Sequence, residues 1–181
     1  MTGPPLVIHI IGLKNTGKSG LMESLIQELN KLGIRTGVLK HDGSNHFHWD
    51  KEGSDTHRIR AAGSPVTAIL SDREFAVHAA GGLDITLPEI AGVFFRGFEI
   101  LLVEGFKKLD GKKVEVLREG VSTHPLSPAD ELIATFGDPM FGRDVPHFDR
   151  TNVQALAQLI SRIFSEQSGS QRSPSQGRGL G

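Results

Sequence analysis

The fold class that the sequence predicts is an α/β domain with a mainly parallel sheet. Short, continuous apolar runs such as Leu6–Ile11 and Glu99–Val103 alternate with amphipathic helical stripes along the chain. Such runs are typical of strands buried on both faces, and their alternation with helices indicates a parallel sheet. The 181 residues, 38% of them hydrophobic and 23% charged, fit one globular domain.

The first predicted unit is a strand, a helix and a second strand. Leu6–Ile11 ends at Gly12, and Thr36–Lys40 forms the second strand. Between them, leucines recur at helical spacing, at Leu21, Leu25, Leu29 and Leu32. Gly33 is placed to end that helix.

The apolar pattern predicts a short helix, a β-hairpin extension, a helix, three strands and a last helix in the rest of the chain. In order, these are 54–62, 66–70 with 75–80, 87–95, 99–103, 113–118, 132–136 and 153–164. We expect the lysine-rich segment 107–130 to form a surface hairpin. Residues 1–166 are expected to form the domain, and the polar residues 167–181 a disordered tail.

Composition argues against several classes of protein. Twenty basic and 21 acidic residues give a net charge of -1, so the basic excess of most nucleic-acid-binding proteins is missing. No apolar run reaches the roughly 18 residues of a membrane helix, and the chain start lacks a secretory pattern. The absence of cysteine excludes disulfides and thiolate chemistry. We therefore expect a cytoplasmic protein with neither nucleic acid nor membrane as partner.

The most specific motif is a glycine-rich loop between the first strand and the first helix. Residues 12–19 match the pattern Gly-x4-Gly-Lys-Ser of the P-loop, or Walker A motif. Its glycines let backbone N–H groups converge on a phosphate at the helix N-terminus. Lys18 would reach the β- and γ-phosphates, and the Ser19 hydroxyl would bind Mg²⁺. The motif predicts a P-loop NTPase three-layer fold that binds a nucleoside triphosphate.

Two acidic residues are candidates for holding the metal. Asp42 follows the second predicted strand, and Glu104 directly follows the strand 99–103. Ligands of open parallel sheets bind at the carboxyl ends of the strands, where both residues would lie. The alternative for each is a carboxylate that caps a backbone or forms a salt bridge.

Further segments, taken with the P-loop, resemble the MobB family of molybdopterin-guanine dinucleotide biosynthesis adapter proteins. The resemblance runs from about residue 6 to about residue 165. It is carried by Gly12–Ser19, Leu39–Asp42, Asp50–Arg58, Ala61–Gly63, Ser71–Arg73 and Leu102–Lys107.

The resemblance implies GTP binding with Mg²⁺, weak intrinsic GTPase activity and a homodimer. It also implies two kinds of partner, namely the guanylyltransferase that attaches GMP to molybdopterin and molybdopterin-bearing proteins. Lys18 and Glu104 would be catalytic, and Ser19, Asp42 and Glu104 would lie at the metal. The implied nucleotide site comprises Gly12, Lys14, Asn15, Thr16, Gly17, Lys18, Ser19, Gly20, His41, Asp42 and Arg58.

The sequence departs from the family pattern at two places. Lys14–Thr16 stands where an extra glycine or serine is frequent, and Glu52 replaces a proline in Asp50–Gly53. The guanine-reading element Asn-Lys-x-Asp is absent, so a preference for GTP over ATP follows from the resemblance alone. Thr135–Asp138 lies late enough in the sheet to contact a base.

Two other features leave alternatives open. His41, His46, His48 and His57 lie in one polar stretch. This stretch is either a transition-metal site or a mobile loop near the phosphates or an anionic pterin-bearing substrate. The hairpin run 75–80 is apolar enough to pair with a second chain, or to pack in the core.

The P-loop itself leaves the reaction open. Besides a GTP-binding accessory protein, it is compatible with a small-molecule kinase, although no arginine-rich lid accompanies it. It is also compatible with a scaffold that does not hydrolyse its nucleotide.

Overall fold

The protein forms two compact units along the chain. The computed structural model describes residues 3–42, 50–79 and 85–170. One unit comprises Met1–His41 with Ala91–Gly181, and the other comprises Asp42–Ile90. The elements are β1 (Leu6–Ile11), α1 (Lys18–Lys31), β2 (Thr36–Lys40), α2 (Asp55–Ala61), β3 (Val66–Leu70), β4 (Phe75–Ala79), α3 (Leu87–Phe94), β5 (Ile100–Glu104), β6 (Lys112–Leu117), β7 (Leu132–Gly137), β8 (His147–Phe148) and α4 (Val153–Ser170).

The larger unit contains a six-stranded sheet in the order β2-β5-β1-β6-β7-β8. Neighbouring strands are parallel throughout, which confirms the predicted fold class. The central strand β1 pairs with β5 on one side and β6 on the other, and Ile10 lies opposite Glu104. The carboxyl ends of β5, β1 and β6 therefore meet at one edge of the sheet.

Two helices cover one face of this sheet and form the core with it. Leu25 and Leu29 of α1 and Leu156 and Ile160 of α4 are fully buried, together with Ile8 of β1. Each fully buried leucine or isoleucine contributes roughly 1.5–3 kcal/mol. Packing of α1 against the sheet thus fixes where the helix begins relative to the end of β1.

The segment 107–130 was predicted wrongly as a surface hairpin. Its strand β6 lies inside the sheet, parallel to both β1 and β7. Lys113 is 1% exposed, and its ammonium is ion-paired with Glu131. A buried charge is tolerated when it is paired in this way, so a lysine in the sequence did not mark an exposed strand.

Other boundaries lie close to their predictions, with two additions. The two-residue strand β8 was not predicted, because it is too short to show a periodic pattern. Helix α4 continues to Ser170, past the expected domain end at residue 166. Residues 171–181 lie outside the described residues.

The smaller unit contains a capped helix and a hairpin. The Ser54 hydroxyl accepts a hydrogen bond from the His57 N–H at 3.2 Å and so caps α2. Strands β3 and β4 pair antiparallel as the predicted hairpin. Large apolar side chains on these strands are exposed, namely Val66, Ile69, Leu70 and Phe75.

None of the helices in the described ranges combines the length and apolar character needed to cross a membrane.

We predict that Gly37→Ala destabilises the fold by about 1–3 kcal/mol, the usual cost of overpacking. A Cβ at position 37 on β2 would lie 2.3 Å from a ring carbon of Phe95. Chemical denaturation measures the free energy of unfolding.

Gly92→Ala is the matched control. Gly92 lies in α3, and a Cβ at this position would have no other atom within 4 Å. It should be neutral or stabilising by up to about 1 kcal/mol. Equal stability of Gly37→Ala and wild type would contradict the packing.

Candidate functional site

The loop between β1 and α1 is a tight turn that two glycines permit. Gly12 has φ +156°, and a Cβ there would lie 2.7 Å from both Thr16 Oγ1 and the Val116 carbonyl oxygen. Gly17 has φ +102°, precedes the first residue of α1 and supplies no side-chain cap. The first N–H groups of a helix have no intrahelical acceptor. The N-terminus of α1 therefore presents unsatisfied donors at the sheet edge.

Two side chains stabilise this loop by hydrogen bonds to its carbonyl oxygens. The Lys18 ammonium donates to the carbonyl oxygens of Gly12 at 3.1 Å and Leu13 at 2.8 Å. The buried Thr16 hydroxyl donates to the same Leu13 oxygen at 3.0 Å. The lysine is held at the mouth of the turn, which suits it to bind an anion there.

The electrostatics around Lys18 are set by burial and two neighbouring charges. Burial lowers the pKa of its ammonium, the Glu104 carboxylate raises this pKa, and the Lys40 ammonium lowers it. A desolvated ammonium gains from a negative partner, because the charged form is then favoured. The Lys18 environment therefore favours an anionic ligand.

Glu104 lies at the end of β5, opposite the loop. Its Oε2 accepts a hydrogen bond from the Ser19 hydroxyl at 3.5 Å and lies 3.5 Å from the Lys40 ammonium. In the described ranges, no three His, Cys, Asp or Glu residues cluster as a metal site. A hydroxyl and one carboxylate suit Mg²⁺, which completes its octahedron with phosphate oxygens and waters. The residues present therefore fit Mg²⁺.

A cavity of about 270 Å³ joins these groups. Its lining consists of Lys14, Asn15, Gly17, Lys18, Ser19 and Glu104. All six were predicted from the sequence. Gly12 and Thr16 shape the turn, whereas Gly20 lies within α1 and is not part of the lining.

Comparison with known proteins agrees with this geometry. The family model described as molybdopterin guanine dinucleotide synthesis protein B, or MobB, matches residues 7–138. The chain belongs to the MobB family.

Similar relatives and solved structures cover most of this MobB family member. It is 34% identical over 128 residues to the molybdopterin-guanine dinucleotide biosynthesis adapter protein of Haemophilus influenzae, covering 70% of this chain and 71% of that protein. For the Escherichia coli protein of the same name, the identity is 30% over 159 residues, with 85% and 90% covered. The crystal structure of Bacillus subtilis MobB superposes with a TM-score of 0.67 at 26% identity, covering 88% and 98%.

The remaining predicted site residues fall into two groups. His41 lies beside Glu104, because its N–H donates to the Glu104 carbonyl at 3.0 Å and its ring packs 4.3 Å from that of Phe106. Asp42 and Arg58 belong to the second unit. There, the Arg58 guanidinium lies 3.5 Å from the Asp55 carboxylate on α2.

The histidine cluster is only partly described. His46 and His48 lie outside the described residues, so the possible transition-metal site at that stretch stays untested. His57 lies on α2, where its Nδ1 accepts a hydrogen bond from the Gly53 N–H at 3.3 Å.

Sequence analysis missed two arginines that contact the P-loop of this MobB family member. Arg118, directly after β6, donates to the Asn15 carbonyl at 3.0 Å. Arg150 donates to the Thr16 carbonyl at 3.4 Å and to the Leu117 carbonyl at 3.1 Å. The position of Arg118 at the carboxyl end of a strand was an available signal, whereas nothing in the local sequence marked Arg150.

Asp138 holds Arg150 in place. Its Oδ1 lies 3.5 Å from the Arg150 Nε, and its Oδ2 accepts a hydrogen bond from the Glu119 N–H at 2.7 Å. The Glu119 N–H is the main cause that lowers the pKa of this carboxyl, and burial opposes the shift. Arg150 also adds to the lowering. The end of β7 is thereby linked to the P-loop backbone.

We predict that Arg150→Ala loosens the P-loop and lowers the free energy of unfolding by about 1–2 kcal/mol, since hydrogen bonds to charged groups are lost. The loop amides should also exchange hydrogen faster. Arg162→Ala, an exposed arginine of α4, removes the same charge and should have no effect. Unchanged amide exchange in residues 12–17 of Arg150→Ala would refute the tethering role.

Proposed function

We propose that this chain is a GTP-dependent adapter in molybdenum cofactor biosynthesis. In this proposal it binds GTP with Mg²⁺ and assists the guanylyltransferase that attaches GMP to molybdopterin. The adapter role is supported by membership of the MobB family and by the names of the relatives. The observation that carries nucleotide binding is the cavity lined by the P-loop and Glu104 at the carboxyl ends of β1 and β5.

The P-loop would bind the phosphates in two ways. Backbone N–H groups at the start of α1 donate to the β-phosphate, helped by the positive end of the helix dipole. Lys18 moves its ammonium from the Gly12 and Leu13 carbonyls to the β- and γ-phosphate oxygens, exchanging neutral acceptors for charged ones. The ammonium and the phosphate oxygens carry opposite charges, and this attraction favours the exchange.

Mg²⁺ would be held by the Ser19 hydroxyl and the Glu104 carboxylate. Bound there, the ion supplies positive charge that screens the phosphates. The Lys40 ammonium lies 3.5 Å from the Glu104 carboxylate and balances its charge. The Lys40 side chain is 63% exposed, so it can swing away when a divalent cation takes its place.

Hydrolysis by the isolated protein should be slow. The charge that develops on the γ-phosphate is stabilised by Lys18, and a nearby carboxylate such as Glu104 can orient water. Arg118 and Arg150, however, are engaged with loop carbonyls. An arginine that reaches the γ-phosphate is worth about 10³–10⁵ in rate in other P-loop enzymes. The engagement of Arg118 and Arg150 with carbonyl oxygens agrees with a weak GTPase whose main task is to assist a partner.

The hairpin of the second unit is a candidate surface for the homodimer. Its exposed apolar side chains include Ile69, Leu70 and Phe75, which are 55%, 77% and 58% exposed. An open hairpin of this kind favours pairing with another chain. His41 is proposed to contribute to the nucleotide site through its position beside Glu104.

We predict that Lys18→Ala lowers GTP affinity by about 100-fold or more, because a charge-assisted contact to two phosphates is lost. Isothermal titration calorimetry with GTP and Mg²⁺ measures the effect. The variant should also fail to stimulate the guanylyltransferase on molybdopterin.

Lys31→Ala is its matched control, since Lys31 ends the same helix and pairs with Glu28 at 2.7 Å, far from the loop. It should bind GTP like the wild type. Wild-type affinity in the Lys18 variant, with an unchanged circular dichroism spectrum, would rule out the P-loop as the nucleotide site. Label from [γ-³²P]GTP on a small acceptor without the partner enzyme would instead indicate a kinase.

We predict that Glu104→Gln weakens GTP binding about tenfold in the presence of Mg²⁺ and has little effect in EDTA, because a neutral amide is a poor Mg²⁺ ligand. Titrations under both conditions separate the two contributions. Glu99→Gln is the control, since Glu99 precedes the same strand and pairs with Arg35 at 3.3 Å. Equal losses with and without Mg²⁺ would make Glu104 a structural residue.

A further inference from the structure

A second cavity, of about 310 Å³, lies beside β7 and β8. It is lined by Thr135, Pro139, Met140, Phe141, Gly142, Arg143 and His147. Its volume is at the lower end of the range for small-molecule sites. The nucleotide-binding role proposed above does not use it, except that Thr135 begins the segment that the sequence suggested for base contact.

Phe141 and Met140 give this cavity an apolar surface on which an aromatic ring of a ligand could stack. Phe141 is 37% exposed, although a phenyl ring is usually buried. Its backbone is left-handed, with φ +67°, a conformation that costs a residue other than glycine of order 1 kcal/mol. Residues with a strained backbone cluster at functional sites. Met140 adds a polarizable thioether that packs well on aromatic rings.

The polar side of the cavity contains a guanidinium, that of Arg143, which a hydrogen bond holds in place. Arg143 donates from Nη2 to the Ser127 carbonyl oxygen at 2.7 Å. Within the described residues, no carboxylate lies within ion-pair distance of its guanidinium. The planar fork has five N–H donors, so several remain for a ligand. Thr135 Oγ1 and His147 Nδ1 lie 2.9 Å apart and form a second polar element.

We propose that this cavity binds a fused nitrogen heterocycle that carries a ring carbonyl beside a ring-nitrogen acceptor. The Arg143 donors would pair with these two acceptors, and Phe141 would stack on the ring face. Guanine has this pattern at O6 and N7, and the oxo-pterin ring has it at O4 and N5. Adenine does not, because an amino donor replaces the carbonyl and opposes the guanidinium. The inference rests on the proposed function, whose ligands contain both ring systems.

The position of the cavity favours the guanine of the bound nucleotide as the source of the ring. Strand β7 is separated from β1 only by β6, so the two lie about 10 Å apart. Gly137 at the end of β7 abuts Leu117 and Arg150, and Arg150 donates to the Thr16 carbonyl of the P-loop. A ribose and its phosphates span such a distance along the sheet edge.

The test measures the affinity of the full chain for GTP, ATP and neopterin, a free pterin, by calorimetry with Mg²⁺. Arg143→Ala should weaken GTP about tenfold and leave ATP nearly unchanged, so that the preference for GTP shrinks. Phe141→Asn removes the ring but suits a left-handed backbone, and it should weaken GTP by severalfold. It serves as the second variant in case loss of the contact between Arg143 and Ser127 unfolds the loop. Arg162→Ala is the charge-matched control and should bind as wild type.

The outcomes separate the two sources of the ring and the two proposals. Loss of GTP affinity in both cavity variants identifies the nucleotide base as the occupant. Loss of neopterin binding alone, independent of Lys18, identifies a pterin. Unchanged affinity for GTP and neopterin in both variants overturns the inference. In that case, continued dependence of GTP binding on Lys18 would leave the proposed function standing, whereas unchanged GTP binding in Lys18→Ala would remove it.

Discussion

The geometry of the turn between β1 and α1 is the constraint on which the rest of the site depends. Gly12 and Gly17 adopt backbone angles that other residues rarely take, and Thr16 and Lys18 bond the carbonyl oxygens that the turn leaves open. The core then fixes this turn in space, because buried leucines of α1 pack on β1 and its neighbours. A rigid scaffold thus presents the helix N-terminus at the middle of the sheet edge, where parallel sheets bind their ligands.

Charge complements this geometry. Lys14, Lys18 and Glu104 line the cavity, with Glu104 the one carboxylate among the lining residues that the structure describes. Arg118 and Arg150 add positive charge at the loop carbonyls. This positive charge favours binding of a polyanion. Glu104 and Ser19 together could hold a divalent cation that also contacts the phosphates. The arginines contribute mainly by holding loop carbonyls, which preorganises the backbone before any ligand arrives.

How much the sequence reveals depends on how far apart the interacting residues are along the chain. The P-loop is local, so residues 12–19 could be placed on a strand, a turn and a helix, and Glu104 could be placed by the apolar run before it. The contact of Arg150 with Thr16 spans 134 positions and leaves no local pattern. Strand β6 was predicted as a strand but placed in a surface hairpin for a similar reason, because the partner that neutralises Lys113 is Glu131, 18 residues away. Asp42 and Arg58 belong to the second unit, apart from the six-stranded sheet that carries the P-loop.

The most direct test of the central claim is a crystal structure of the full chain with a non-hydrolysable GTP analogue and Mg²⁺. The account predicts a β-phosphate within hydrogen-bond distance of the backbone N–H groups of residues 14–19, with the Lys18 ammonium moved from the Gly12 and Leu13 carbonyls onto phosphate oxygens. An analogue bound elsewhere, with Lys18 still on those two carbonyls, would contradict it.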